Sequence, residues 1–135
     1  MSRAEIRQHI FRMLFRIEFH SKQEMPEQMQ FYFEALEEIS DVDWAYIDEK
    51  FQAILKCREE IDRMIDEHTT GWKTTRMNKV DLTILRLAVY EMKWDEEIPT
   101  NVAINEAVEL SKKFSGDEGP SFVNGVLAKL TKLEF

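Results

Sequence analysis

Positively charged side chains are concentrated at the start of the chain. Four arginines recur there at spacings close to helical turns: Arg3, Arg7, Arg12 and Arg16. Residues 1–22 carry five basic and two acidic side chains, whereas residues 23–67 carry four basic and fourteen acidic ones. The net charge of −8 argues against bulk electrostatic binding to nucleic acid. The uneven distribution favours two faces with different partners, and uneven solvation is the alternative interpretation.

Side chains that could catalyse a reaction or bind a metal ion do not cluster in the sequence. His9, His20 and His68 are far apart, and together with Cys57 they match no metal-ligand spacing. Neither a glycine-rich phosphate loop nor a nucleophile motif is found. Cys57 is the only cysteine, so it has no disulfide partner within the chain. We therefore expect no metal, no cofactor and no catalytic residue, and a cytoplasmic location.

Arg86 and Glu106 lie on two consecutive predicted helices. On a helical wheel each residue flanks the apolar stripe of its own helix, where a charged side chain is half buried. A guanidinium can bind a carboxylate through two parallel hydrogen bonds. The two positions therefore predict an ion pair that holds the helices together, with two solvent-facing side chains as the alternative.

Gly125 follows an asparagine in the segment "FVNGVLAKL". Asn-Gly is typical of a hairpin turn, but the apolar residues on both sides keep the spacing of a helix. A glycine inside a helix costs about 1 kcal/mol relative to alanine. We therefore expect a helical glycine against which another backbone packs closely.

The elements that must position these residues are all helical. Apolar residues recur every three or four positions, and no segment alternates as a strand does. Helices are predicted at residues 3–20, from about 26, at 43–68, 78–94, 99–114 and 120–130, with one short turn near 71. The predicted fold class is all-α, a compact domain of about seven helices over residues 1–135. No apolar run is long enough to cross a membrane, and we expect no signal peptide.

Three segments of the second half resemble the NusB family of bacterial transcription antitermination factors. They read "VDLTILRLAVYEM", "IPTNVAINEAVELSKKF" and "FVNGVLAKL", in the order and at the spacing of the family. Residues 80–130 carry this match, and the first half agrees with the family only in outline. The resemblance implies two small packed helical subdomains, roughly 1–70 and 71–135, and no enzymatic activity.

The resemblance also implies partners. The family binds boxA RNA of ribosomal RNA leader transcripts together with NusE, a protein of the small ribosomal subunit, and helps RNA polymerase pass terminators. The chain is therefore expected to bind boxA-type RNA and NusE within the RNA polymerase antitermination complex. Two alternatives remain open: a regulatory homodimer with weak intrinsic RNA binding, and a NusB-like RNA-binding domain of a ribosomal RNA methyltransferase.

Carried over to this sequence, the resemblance implies an RNA surface on the first helix and at the start of the last. The expected RNA contacts are Arg3, Arg7, Arg12, Phe15, Arg16 and Phe122. Arginine neutralises phosphate, and an aromatic ring can stack on an unpaired base. Phe15 stands where the family usually has tyrosine, and Ser121 stands where lysine is common. Because of these departures and the acidic net charge, we expect NusE to supply more of the RNA affinity.

Asp81 is the expected contact with NusE, because the family commonly carries an acid at this position. It is offset from the apolar stripe of its helix and should therefore reach solvent. Phe11, Phe15 and Phe19 form a second apolar strip on the first helix. This strip predicts a helix buried on two sides, with an RNA-stacking strip or a dimer seam as alternatives.

Overall fold

The computed structural model describes residues 1–21, 23–35, 39–69, 71 and 73–133, and no strand occurs among them. The helices are α1 (Arg3–Arg16), α2 (Met25–Ala35), α3 (Asp41–His68), α4 (Lys79–Trp94), α5 (Thr100–Phe114) and α6 (Gly119–Leu133), with a 3₁₀ turn at Thr74–Arg76. The all-α prediction is confirmed, with six α-helices and one short 3₁₀ helix over the described residues. None of the helices in this part of the chain combines the length and hydropathy that a membrane span requires.

Side-chain caps explain where α1 and α3 begin. The Ser2 hydroxyl accepts a hydrogen bond from the Glu5 backbone N–H at 3.1 Å and donates one to the Glu5 carboxylate at 3.1 Å. This reciprocal arrangement resembles a capping box and satisfies a backbone donor at the helix end. The Ser40 hydroxyl accepts from the Asp43 N–H at 3.1 Å in the same way at the start of α3.

Helix α1 ends at Arg16, four residues before the predicted end. The N–H groups of Ile17, Glu18 and Phe19 each donate to the carbonyl three residues earlier, over 3.1–3.2 Å. Hydrogen bonds with this spacing tighten the end of a helix into a turn of 3₁₀ type. The apolar periodicity continues through this turn, which is why the sequence pattern places the helix end too late.

The chain divides into two compact units, Met1–Ala53 and Ile54–Phe135, so the boundary falls inside α3. The buried side chains of the first unit include Ile10, Met13, Leu14, Tyr32, Ile47 and Phe51. In the second unit, α4, α5 and α6 pack against one another, and its buried side chains include Ile61, Leu82, Leu85, Ala107, Val123 and Leu127. The sequence-based division into subdomains of roughly 1–70 and 71–135 stays a prediction.

Candidate nucleic-acid interface

The two arginines at the start of α1 differ in exposure. Arg3 is the first residue of the helix and is exposed, whereas Arg7, one turn later, is only 4% exposed. A buried guanidinium is costly unless groups of the protein around it compensate its charge. Both RNA-binding roles stay predictions, and of the two residues Arg3 has the exposure that a phosphate contact at the surface requires.

Arg16 is held against α2 by two neutral side chains. Its Nη1 donates to Gln28 Oε1 over 3.2 Å, and its Cζ lies 4.9 Å from the centre of the Tyr32 ring. A guanidinium at this distance is attracted by the negative face of the ring. Arg12 is exposed but also hydrogen-bonds Tyr32. The structure therefore places both Arg12 and Arg16 next to Tyr32 of α2.

Tyr32 is buried and is hydrogen-bonded to His9 of α1. The side chain is 6% exposed, and its hydroxyl lies 2.6 Å from His9 Nδ1. Burial raises the pKa of Tyr32, and the hydrogen bond and charge of Arg12 oppose this shift. Burial, followed by the charge of Arg12, lowers the pKa of His9, while Glu5 opposes the change. Both shifts favour the neutral forms. The tautomer of the neutral imidazole then sets which of the two groups donates this hydrogen bond.

The phenylalanine strip begins in α1, in the core, and ends at the surface in the turn that follows α1. Phe11 is buried, Phe15 is half buried and Phe19 is 63% exposed. The rings of Phe11 and Phe15 stack with centroids 5.9 Å apart, and those of Phe15 and Phe19 meet edge to face at 5.1 Å. The helix is thus not buried along the whole strip. Base stacking on Phe15 and a dimer seam at Phe19 stay predictions.

Phe122 lies near the start of α6, in the second unit. Its side chain is half buried, and its backbone N–H donates to the carbonyl of Glu118 over 3.1 Å. Ser121, just before it, is exposed. Partial burial is compatible with packing on one side of the ring and with a base on the other. The stacking role of Phe122 stays a prediction.

Asp81 does not reach solvent as predicted, because it is only 5% exposed. The reason is a set of hydrogen bonds at the start of α4. Asn78 caps the helix by accepting from the Asp81 N–H at 2.8 Å, and its amide donates to Asp81 Oδ2 at 2.8 Å. The Ser115 hydroxyl, at the end of α5, donates to Asp81 Oδ1 at 2.6 Å. The expected exposure is therefore wrong, and the NusE contact assigned to Asp81 stays a prediction.

Arg86 forms a fork-shaped ion pair, and its partner is a residue of α3. Its Nε and Nη2 lie 2.8 Å from Asp62 Oδ1 and Oδ2, respectively. The arginine side chain is 5% exposed and that of Asp62 is 24% exposed. Parallel hydrogen bonds of this kind fix the planar guanidinium as well as neutralise it. Arg86 thus links α4 to α3 through an ion pair with Asp62. The predicted pair with Glu106 stays a prediction.

Comparison with known proteins identifies the family. A model described as the NusB family matches residues 4–132. The chain belongs to the NusB family. It is 57% identical over 129 residues to the transcription antitermination protein NusB of Agathobacter rectalis, covering 96% of this chain and 98% of that protein.

Solved structures of NusB-family proteins have the same fold. NusB of T. maritima matches with a TM-score of 0.86 at 29% identity, covering 98% of this chain and 92% of that one. A chain in the crystal structure of antitermination factors NusB and NusE in complex with dsRNA matches with a TM-score of 0.83 at 25% identity, covering 98% of each chain. The all-α architecture predicted from the resemblance is therefore that of the family.

The glycine of the F-V-N-G motif is helical in this NusB-family chain, as predicted, but its surroundings are not as predicted. Gly125 is exposed, and outside its own helical turn a Cβ there would meet no atom of the described residues within 4 Å. The expected packing of another backbone on Gly125 is therefore wrong for the described part of the chain. Gly119 is the tightly packed glycine of this helix, but against side chains, because a Cβ there would collide with the Ser115 side chain and lie 2.9 Å from Ser111 Oγ.

Sequence reasoning missed Gln28 and Tyr32, which contact Arg16, and His9, which contacts Tyr32. Gln28 and Tyr32 are four positions apart and share one face of α2, and His9 shares one face of α1 with Arg16. These spacings were present in the sequence. They do not state which face of one helix meets which face of the other, so only the structure shows the cluster.

Proposed function

We propose that this chain is an RNA-binding transcription antitermination factor that binds boxA RNA of ribosomal RNA leader transcripts together with NusE. The observation that carries the proposal is the family match over residues 4–132. The relative from Agathobacter rectalis is a transcription antitermination protein, and the structure with NusE and dsRNA contains a chain of the same fold. The proposed role is non-catalytic and cytoplasmic, within the RNA polymerase antitermination complex.

The basic residues of α1 support RNA binding in this proposal. Arg3 and Arg12 are exposed and Arg16 is half buried, so their charges can reach phosphate groups at the surface. Phosphate contacts of this kind give affinity without sequence choice. The partly exposed rings of Phe15 and Phe122 would supply stacking for unpaired bases, at about 1–3 kcal/mol for each base.

The net charge of −8 makes NusE important for the RNA affinity of this chain. An acidic protein repels the phosphate backbone at long range, and only a local basic face opposes that repulsion. A second protein that contacts the same RNA raises the effective concentration of the α1 arginines near the phosphates. The proposal therefore includes stronger RNA binding by the complex with NusE than by the chain alone.

A binding titration with boxA RNA, in the presence and absence of NusE, tests the proposed function. The complex should bind boxA RNA more tightly than the chain alone and more tightly than an RNA of equal length with a scrambled sequence. Equal affinity for both RNAs would contradict boxA recognition. No binding by the complex at low salt would contradict RNA binding altogether.

A homodimer is the second candidate, and two exposed apolar side chains favour it. Phe19 and Phe31 are both exposed large apolar side chains of the first unit, and exposed apolar patches often mark protein interfaces. Sedimentation velocity at micromolar concentration tests this alternative. A dimer that dissociates when boxA RNA and NusE are added would support a storage form, whereas a monomer at all concentrations would exclude it.

A further inference from the structure

Arg16 differs from Arg86 in the charge of its partners. The guanidinium of Arg86 is neutralised by the two carboxylate oxygens of Asp62. Arg16 instead contacts the amide of Gln28 and the ring of Tyr32, both neutral. Within the described residues it forms no ion pair with a carboxylate. The side chain is therefore fixed in place while its positive charge remains available.

Within the part of the chain that the structure describes, most of the Arg16 guanidinium remains free to bind an anion. One N–H group of Arg16 donates a hydrogen bond to Gln28, and the guanidinium carbon lies over the Tyr32 ring. A guanidinium has five N–H donors in a rigid fork, so the others remain for an oxyanion. The side chain is half buried rather than enclosed. A phosphate group is a good match for a planar, charged donor of this kind.

Tyr32 can position Arg16 because its own orientation is fixed. Its hydroxyl is 2.6 Å from His9 Nδ1, and its ring meets the His9 ring edge to face with centroids 5.8 Å apart. The ring is thereby held in one orientation beneath Arg16. Preordering an arginine lowers the conformational entropy that it would otherwise lose on binding.

We propose that Tyr32 and Gln28 are positioning residues that hold Arg16 ready to receive a phosphate group of bound RNA. This inference rests on the proposed RNA-binding function. Gln28 fixes the direction of the fork, Tyr32 holds the guanidinium over its ring, and neither residue neutralises the charge.

The variant Gln28→Glu tests whether the uncompensated charge matters. The new carboxylate has nearly the shape of the amide and would pair with Arg16, so the guanidinium would be held but neutralised. RNA affinity of the complex with NusE should fall, on the order of tenfold. The slope of log affinity against log salt should become shallower by about 0.7, as expected for one lost phosphate contact with single-stranded RNA. The melting temperature should not fall.

Gln30→Glu is the matched control, because it makes the same charge change at an exposed position of α2. It should reduce RNA affinity much less than Gln28→Glu. In an Arg16→Ala background, Gln28→Glu should reduce affinity no more than Gln30→Glu does. Equal effects of the two glutamates in the parent, or an undiminished Gln28→Glu effect without Arg16, would overturn the proposal.

Tyr32 variants test the second contact. Tyr32→Phe keeps a ring beneath Arg16 but loses the hydroxyl that His9 holds, so it should weaken RNA binding only slightly, whereas Tyr32→Leu removes the ring and should weaken binding severalfold. In the Arg16→Ala background the two variants should bind equally, because the ring then has no guanidinium to position. A persistent difference there would assign Tyr32 a purely structural role. A parent complex that binds no RNA would overturn the proposed function and this inference together. If the parent complex binds RNA but the effects of the Tyr32 and Arg16 substitutions on affinity simply add, only the inference is overturned.

Discussion

Two arginines show how the same side chain serves different purposes at the scale of single residues. Arg86 is buried and its fork is matched by the two oxygens of Asp62. Arg16 lies over Tyr32 and keeps its charge unneutralised within the described residues. A buried charge requires a partner of opposite sign, whereas a partly exposed one can remain available for a ligand. The partners therefore distinguish an arginine that is neutralised within the fold from one that we propose to bind an anion.

Replacing Asp62 should show that the fork stabilises the second unit. Asp62→Ala removes the carboxylate from a guanidinium that is almost fully buried. We expect a loss of about 3 kcal/mol in the free energy of unfolding, at the low end for a broken buried pair because Asp62 is partly exposed. Urea unfolding followed by circular dichroism measures the change.

Glu109→Ala is the matched control for Asp62→Ala. Glu109 pairs with Lys112 at 3.2 Å on the surface of α5, and both side chains are largely exposed. Exposed pairs typically contribute about 0–1 kcal/mol. If both variants lose the same small amount, the Arg86–Asp62 pair does not stabilise the fold beyond a surface contact.

At the scale of elements, α6 contains two glycines in different surroundings. Gly119 leaves room for the side chain of Ser115, whereas Gly125 has no neighbour of this kind among the described residues. Gly119→Ala should destabilise the second unit by about 1–3 kcal/mol, because the added methyl collides with the side chain of Ser115. That serine cannot turn away freely, since its hydroxyl is bonded to Asp81. Thermal melting measures the loss.

Gly125→Ala, in the same helix, should stabilise the fold, whereas Gly119→Ala should destabilise it. The position is exposed and open within the described residues, so only helix propensity acts, and alanine should stabilise by about 1 kcal/mol. A destabilised Gly125→Ala variant would show that something packs on this position after all. The two glycine variants together separate packing from propensity.

The contact between α1 and α2 should depend on pH through His9. Its pKa is lowered in the folded state from the ordinary value of 6.5, chiefly by burial. The unfolded chain therefore binds more protons in the window just below pH 6.5. It follows that the contribution of neutral His9 to stability is complete above that pH and decreases as the pH falls.

A comparison of the parent with His9→Gln measures this contribution. The melting temperature of the parent should fall more steeply between pH 7.5 and pH 5.5 than that of the variant, since glutamine does not titrate. His20 and His68 are present in both proteins, so their contributions cancel. Parallel curves would show that protonation of His9 does not couple to folding.

At the scale of the whole molecule, charge distribution matters more than net charge. The chain carries −8 overall, yet its first helix is basic. Long-range repulsion should make RNA binding by the chain alone weak, and screening by salt acts on both the repulsion and the local attraction. The local phosphate contacts should still give a negative dependence of affinity on salt.

Arg3→Ala tests the contribution of a local phosphate contact to RNA affinity. Lys56→Ala is the control, because it removes one exposed charge from α3. Arg3→Ala should weaken boxA binding and make the salt slope shallower by about 0.7, while Lys56→Ala should change both only slightly. A titration at several salt concentrations gives both quantities. Equal effects would mean that overall charge, rather than a local contact of Arg3, governs binding. Arg7→Ala is unsuitable here, because that residue is buried.

The sequence alone determined the fold class, most helix positions and the family. Apolar periodicity depends on neighbours three or four residues apart, and the motifs "VAINEAVEL" and "FVNGVL" are contiguous. Such local information is fully present in a single chain. It also placed Gly125 inside a helix rather than in a hairpin turn.

The tertiary structure alone decided which side chains meet. A helical wheel gives directions about the axis of one helix, but it does not state which neighbour lies in each direction. For this reason Asp81 is buried under Ser115 instead of exposed, Arg86 binds Asp62, and the tightly packed glycine is Gly119. The partners in the first two cases are 34 and 24 residues apart in sequence. Contacts over such separations depend on how helices pack, and packing depends on the shapes of many side chains at once.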